Sequence, residues 1–251
     1  MDRKKESKMT RKKRILLIVA AVLLALVVGA IIYVSTYYRA DETAMAALQG
    51  SETVTVESRD GLTVFLPKEP VAGLIFYPGG KVESSAYAPL MLRLAQENIL
   101  CVIVKMPCNL AVLNVDAAEN IPEQFPQVDC WYMGGHSLGG SMAASFVADH
   151  EEDFAGLILL AAYSTKDISN MEVLSVYGDQ DGVMNRKKYA KYRDNLPKNR
   201  IEVVIPGGNH AFFGSYGHQK GDGNATITPQ QQIEATVEAI LRLMAGSGVT
   251  V

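Results

Sequence analysis

A serine becomes a nucleophile at neutral pH only when a base takes its proton, and a carboxylate must orient that base. One serine of this chain lies in a pattern suited to such chemistry, Gly135-His136-Ser137-Leu138-Gly139. Gly-x-Ser-x-Gly arises readily by chance, so its surroundings decide whether it counts. Four histidines are available as the base. His136 adjoins the serine and would point elsewhere on a tight turn, His150 ends the following helical pattern, and His218 sits in a polar loop. His210, in "VVIPGGNHAFFG", follows an apolar strand pattern on a glycine-rich loop, where the sites of open α/β sheets gather. It is the expected base. For the acid, "VLSVYGDQDGVM" offers Asp181, with Asp179 as the alternative.

The negative oxygen formed when a carbonyl is attacked needs hydrogen-bond donors. The backbone N–H of Leu138, next after the serine and at a helix N-terminus, is one expected donor. The loop "PGGKVESSAY" supplies the other, Gly80 first and Lys81 second. The long stretch after His210 carries Phe212, Phe213 and Tyr216 as possible walls of an acyl pocket, and Phe212 and Lys81 are the expected substrate contacts. In the same stretch Asp222 and Asn224 lie in "GDGNA", which reads as a β-turn more readily than as a calcium loop. No motif calls for a metal or an organic cofactor. A phosphate loop is the rival reading of the glycines, but neither nucleotide-binding glycine pattern is present.

The elements that must position these residues are legible as alternating patterns. "TVTVES" and "LTVFLP", joined at Asp60-Gly61, form a hairpin. Short apolar runs then recur at 73–77, 99–105, 130–135, 156–162, 173–178 and 201–208. Continuous apolar runs suit strands buried on both faces, as in a parallel sheet. Helical patterns lie between several of them, at 86–98, 138–152 and 184–196, and a last one follows at 229–246 with Pro229 at its start. This alternation predicts an α/β domain over residues 51–246, a mostly parallel sheet with helices on both faces. Ser137, Asp181 and His210 each follow a different strand. Only "YSTKDISNME", residues 163–172, separates two of the strands, which is too short for a helical cap, so the site should be open there.

The segments "YPGGKVESSAYAPL", "VIVKMPCNLAV", "GGHSLGGSMAA", "YGDQDGV" and "GGNHAFFGSYGHQKGDGNATIT" resemble α/β-hydrolases, and are most similar to the compact subgroup related to dienelactone hydrolases. The resemblance spans roughly residues 52–244. It implies the α/β-hydrolase fold without a cap domain, and a triad of Ser137, His210 and Asp181 in the chain order of that family. Two departures stand out. Pro78 occupies the place of the histidine in many relatives' oxyanion loop, and the nucleophile position holds Ser137 where dienelactone hydrolases have cysteine.

The N-terminus is a different kind of polymer. Residues 1–14 hold eight Lys/Arg and two acids, whereas the remainder carries 16 basic and 25 acidic side chains. A body with that balance repels phosphates, which argues against nucleic-acid binding. Residues 15–34, "ILLIVAAVLLALVVGAIIYV", carry no charge and would span about 30 Å as a helix, the thickness of a bilayer core. The excess of basic residues before the span predicts a cytoplasmic tail (1–14), a membrane helix (15–34) acting as a signal anchor, a short tether (35–50) and an extracytoplasmic domain. The alternative is a secreted protein cleaved near "AMA" at 44–46, although the apolar run exceeds that of a signal peptide. Cys101, Cys108 and Cys130 have no metal-site spacing and read as small buried hydrophobes, with a Cys101–Cys108 bridge open outside the cell. Of the non-enzymatic readings, a binding domain that has lost turnover remains open, because fold alone does not give function.

Overall fold

The computed structural model describes residues 10–249; most of the basic tail, residues 1–9, lies outside them. The chain divides into two units, Met1–Thr36 and Tyr37–Val251. In the first, helix α1 (Arg11–Ser35) buries none of its residues and is long and apolar enough to cross a membrane. It begins four residues before the apolar run, because Thr10 caps it by accepting a hydrogen bond from the Lys13 N–H.

In the second unit, among the described residues, eight strands form one sheet in the order β1-β2-β4-β3-β5-β6-β7-β8. The expected hairpin is β1 (Val54–Arg59) and β2 (Leu62–Pro67), paired antiparallel. Strand β2 also runs antiparallel to β4 (Ile99–Val104), and all remaining pairs are parallel. The parallel strands are β3 (Ala72–Tyr77), β4, β5 (Trp131–His136), β6 (Gly156–Leu160), β7 (Glu172–Gly178) and β8 (Ile201–Ile205). Alternate side chains of β3 enter opposite cores: Leu74 and Phe76 on one face, Ile75 and Tyr77 on the other. That is why the run is apolar throughout rather than alternating.

Helices α3 (Ala88–Gln96) and α6 (Pro229–Gly246) cover the first face, and α4 (Leu138–Val147) covers the second. The helix expected over 184–196 is shorter. Asn185 caps α5 (Arg186–Lys191), and a 3₁₀ turn follows at Arg193–Asn195. Met184 lies before it, with its N–H held by Asp181.

Two expectations are corrected. Of the expected tether, 35–50, residues 37–50 belong to the second, folded unit: Asp41 caps a short helix, α2 (Glu42–Ala47), whose Ala44 and Ala47 are buried. The cysteines are free. Only Cys101 is buried, while Cys108 is exposed at φ 52°, so the two are not bridged and Cys108 is not a core hydrophobe.

Candidate active site

Ser137 is the single residue between β5 and α4, with φ 52° and ψ −119°. A positive φ is costly for a residue with a Cβ, so the surroundings must impose it. The glycines on either side make the turn possible. A Cβ on Gly135 would lie 2.6 Å from the Gly139 carbonyl carbon, and one on Gly139 would lie 2.2 Å from the carbonyl oxygens of Tyr77 and Pro78. Strand, helix and the loop after β3 therefore meet at backbone contact. The Ser137 N–H donates to the Leu160 carbonyl at 2.9 Å, which ties the turn to the end of β6. A second strained residue, Ala161 (φ 48°), follows β6, and both residues line one groove.

Asp181 and His210 meet across the ends of β7 and β8. His210 Nδ1 lies 2.8 Å from Asp181 Oδ2, and both side chains are buried. Asp181 Oδ1 accepts the N–H groups of Val183 and Met184, each at 2.8 Å. Burial alone would raise the Asp181 carboxyl. The His210 hydrogen bond and charge and the two N–H donors outweigh it and hold the group below its ordinary value. Asp181 is thus an ionised carboxylate that fixes the histidine ring. Asp179 has a different role: its Oδ1 accepts the Gly207 N–H at 2.8 Å.

The loop bearing His210 is held from two sides. Gln232 on α6 accepts the Asn209 N–H at 3.0 Å and donates to the Asn209 carbonyl at 2.8 Å. Asp222 accepts four backbone N–H groups, from Gly182 (3.1 Å), Gly223 (2.8 Å), His210 (3.2 Å) and Ala211 (2.8 Å). It clasps the acid loop to the base loop. The Asp222 N–H closes a turn on the Gln219 carbonyl, ahead of the turn expected in residues 221–225, and no group of side chains suited to a metal ion occurs among the described residues.

Gly80 lies against Leu138: a Cβ there would be 2.9 Å from Leu138 Cδ2. Neither the Gly80 nor the Leu138 N–H has an acceptor among the described residues, and as the first residue of α4 Leu138 has none within its helix. Both N–H groups are thus without a protein acceptor among the described residues. The Lys81 N–H is not, because it donates to the Asn109 carbonyl at 2.7 Å.

The groove beside Ser137 encloses about 350 Å³ and is walled by Leu138, Met142, Ala161, Tyr163, Val183 and Met184. Among the described residues no charged side chain lines it, and neither Phe212 nor Lys81 does. Phe212 packs instead on the core under α6. No helix lies between β6 and β7, so that side of the site has no cap.

Two residues were not expected here. The Tyr87 hydroxyl accepts the Gly79 N–H at 2.9 Å and shares a 2.7 Å hydrogen bond with His136 Nδ1. The His136 ring packs on the His210 ring at 4.5 Å between centroids. Burial and the adjacent His210 push His136 well below the ordinary imidazole value, so it is neutral. Its ring lies between those of His210 and Phe213, with Nδ1 on the Tyr87 hydroxyl. Nε2 of His210 is buried with no partner among the described residues, so no hydrogen bond yet joins it to Ser137. Such bonds are often loose without substrate.

The alpha/beta hydrolase family model matches residues 73–234, and the chain belongs to that family. No curated protein matches the sequence. Among solved structures the chain is similar to Est1E from Butyrivibrio proteoclasticus, with 18% identity over 77% of this chain and 100% of that one, at a TM-score of 0.56. It is similar to dienelactone hydrolase from Anabaena variabilis, with 11% identity over 76% and 99%, at 0.56. It also resembles carboxylesterase CesB from Bacillus subtilis, with 11% identity over 82% and 95%, at 0.56. At these identities the likeness is one of fold.

Proposed function

We propose that the protein is a membrane-tethered serine hydrolase that cleaves carboxylic esters through an acyl-enzyme. The observation that carries this reading is the buried Asp181–His210 pair at 2.8 Å, set beside a serine strained at a strand-to-helix turn. Ser137 Oγ attacks the ester carbonyl while His210 Nε2 takes its proton. Asp181 holds the opposite ring nitrogen and stabilises the imidazolium. The N–H groups of Leu138 and Gly80 receive the negative oxygen. Collapse of the tetrahedral species expels the alcohol, protonated by His210. Water then repeats the sequence on the acyl-enzyme and frees the acid. Acyl transfer to another alcohol, or peptide cleavage, would use the same groups.

An uncharged groove of about 350 Å³ suits a neutral acyl group of modest size and offers no cation to hold a carboxylate. The Est1E neighbour has been solved with ferulic acid bound, which makes hydroxycinnamoyl esters a first class of substrate to assay. The apolar, unburied α1 supports tethering, with the basic N-terminus on the cytoplasmic side. Cleavage near Ala46 would discard residues 38–41, which bond to the site's own loops.

One observation favours a second reading, a binding domain without turnover: His210 Nε2 lacks a Ser137 contact. Treating the detergent-solubilised full chain with a fluorophosphonate, followed by mass spectrometry, separates the two. The hydrolase reading expects labelling at Ser137 that is lost in Ser137→Ala and in His210→Ala. A folded, unlabelled wild-type protein would refute it.

A further inference from the structure

The residues that follow α1 in the chain do not hang free. The Tyr38 N–H donates to the Lys81 carbonyl at 2.8 Å, and the Glu83 N–H donates to the Tyr38 carbonyl at 2.9 Å, forming a parallel bridge centred on Val82. Glu83 Oε2 accepts the Ala40 N–H at 3.0 Å. These three bonds grip the loop that presents Gly80. The same few residues also grip the loop after His210. The Asp41 N–H donates to the Ser215 carbonyl at 2.9 Å, and the Lys220 N–H donates to the Tyr38 hydroxyl at 3.1 Å. The Tyr38 ring packs on Tyr216 at 5.6 Å between centroids. The two loops touch each other directly through the Ser215 N–H and the Ala86 carbonyl, at 2.7 Å. Asp41 is itself fixed, because it caps α2 and α2 buries Ala44 and Ala47.

We propose that residues 38–41 brace the active site, with Tyr38 as a positioning residue that sets the Gly80 loop against the His210 loop. The proposal rests on the hydrolase reading for its catalytic consequence, but not for the brace itself. Tyr38 touches no reacting atom. It acts because an oxyanion donor and a base on separate loops must keep their spacing, and misplacement by about 1 Å is enough to cost a large factor in rate. The segment that leads into the domain thereby becomes part of the catalytic frame. A chain that starts after residue 41 keeps Ser137, Asp181 and His210 yet loses every bond that residues 38–41 make to the two loops.

The test uses the full chain in detergent micelles, as wild type, Tyr38→Phe and Tyr38→Ala. Amide hydrogen exchange is read by mass spectrometry, and kcat and KM are taken per active site titrated with fluorophosphonate. For Tyr38→Ala, exchange over residues 79–83 and 214–220 should rise about tenfold while the amides of β5 and β6 stay protected. Its kcat per titrated site should fall about tenfold with KM within about twofold, the mark of lost positioning rather than lost binding. Tyr38→Phe keeps the ring and should change exchange only near Lys220. If the alanine chain does not fold, that local change decides the matter, since Lys220 then has no acceptor. Unchanged exchange in both loops overturns the proposal. So does a uniform rise across the domain with kcat per titrated site unaltered, because Tyr38 then serves folding alone. If no wild-type site can be titrated, the hydrolase reading fails, and the exchange results still decide whether the brace exists.

Discussion

The two ends of β5 open onto grooves of opposite character. At the N-terminal end a groove of about 470 Å³ is walled by Trp131, Phe146 and Phe154 and rimmed by Glu119, Glu123, Asp129 and Asp153. At the other end the groove beside Ser137 is smaller, about 350 Å³, and uncharged. The larger one holds one residue of positive φ, Asn120 (φ 60°), a residue type that adopts such a backbone readily, and no buried polar side-chain atom without a partner among the described residues. The Trp131 indole N–H donates to the Val128 carbonyl at 3.1 Å, and His150 faces Asp153 at 3.3 Å near the surface. The smaller one is lined by two residues of positive φ and abuts a buried acid–base pair whose outer nitrogen is unpartnered. On the proposed reading, size does not mark the chemistry, whereas the buried acid–base pair beside the smaller groove does.

That contrast is broken most directly at the carboxylate. Asp181→Asn removes the ionised partner of His210, so kcat should fall by at least about 10³-fold, as tautomer loss does in triads. Asp179→Asn should cost less than about tenfold, because an amide oxygen can still accept the Gly207 N–H. A larger loss from Asp179→Asn would move the acid to that position. The Asp181 carboxylate should also answer to pH. Asp181 is held below its ordinary value in the fold, so its stabilisation is complete above the unfolded value, about 3.9, and is lost as pH falls through the lower folded value. Urea midpoints should therefore show wild type well above Asp181→Asn at pH 6, with the gap closing towards pH 3. A constant gap would mean that the carboxylate contributes no charge-dependent stability.

The next effect is architectural. Asp222→Ala strips the acceptor from four N–H groups that join the acid loop to the base loop. Leaving such donors unpaired should cost on the order of 3 kcal/mol in urea unfolding, with kcat reduced about tenfold or more. A variant as stable and active as wild type would show that Gln232 alone suffices to hold the His210 loop.

The sequence exposes the parts of this site that depend on strand ends and backbone approach. Ser137, Asp181 and His210 each follow an apolar run, and the structure brings the last two into contact. Gly135 and Gly139 are glycines for the reason their spacing suggests, since no Cβ fits either place. What the sequence hides is lateral. Tyr87 sits in an ordinary helical start, and nothing in "SSAYAPL" tells that its hydroxyl will meet His136 from the adjacent strand. Asp222 lies in a polar turn whose partners are 40 and 12 residues earlier in the chain, so no local pattern reports them. Residues 35–50 read as a tether because the stretch between the apolar span and the first alternating strand is short. Much of what anchors residues 37–50 is backbone bonding to loops distant in the chain, which leaves no local signature. Phe212 was expected at the pocket because aromatic residues near a base suggest a wall, but its ring packs on the core under α6.

The smallest expected effect is the control on the other groove. Glu123 and Asp129 are exposed at the far end of β5. Six strand residues at about 3.3 Å each place that end roughly 20 Å from Ser137. At physiological salt the screening length is about 8 Å, so charges there act only weakly on the developing oxyanion. The double substitution Glu123→Gln with Asp129→Asn should leave kcat/KM for a neutral ester within about twofold and stability within about 0.5 kcal/mol. Repeating the assay at low salt sharpens the comparison: any field effect should grow as screening weakens, whereas a structural effect should not. A loss above about fivefold that is independent of salt would mean that the two ends of β5 communicate through the strand, and that the acidic groove belongs to the functional site after all.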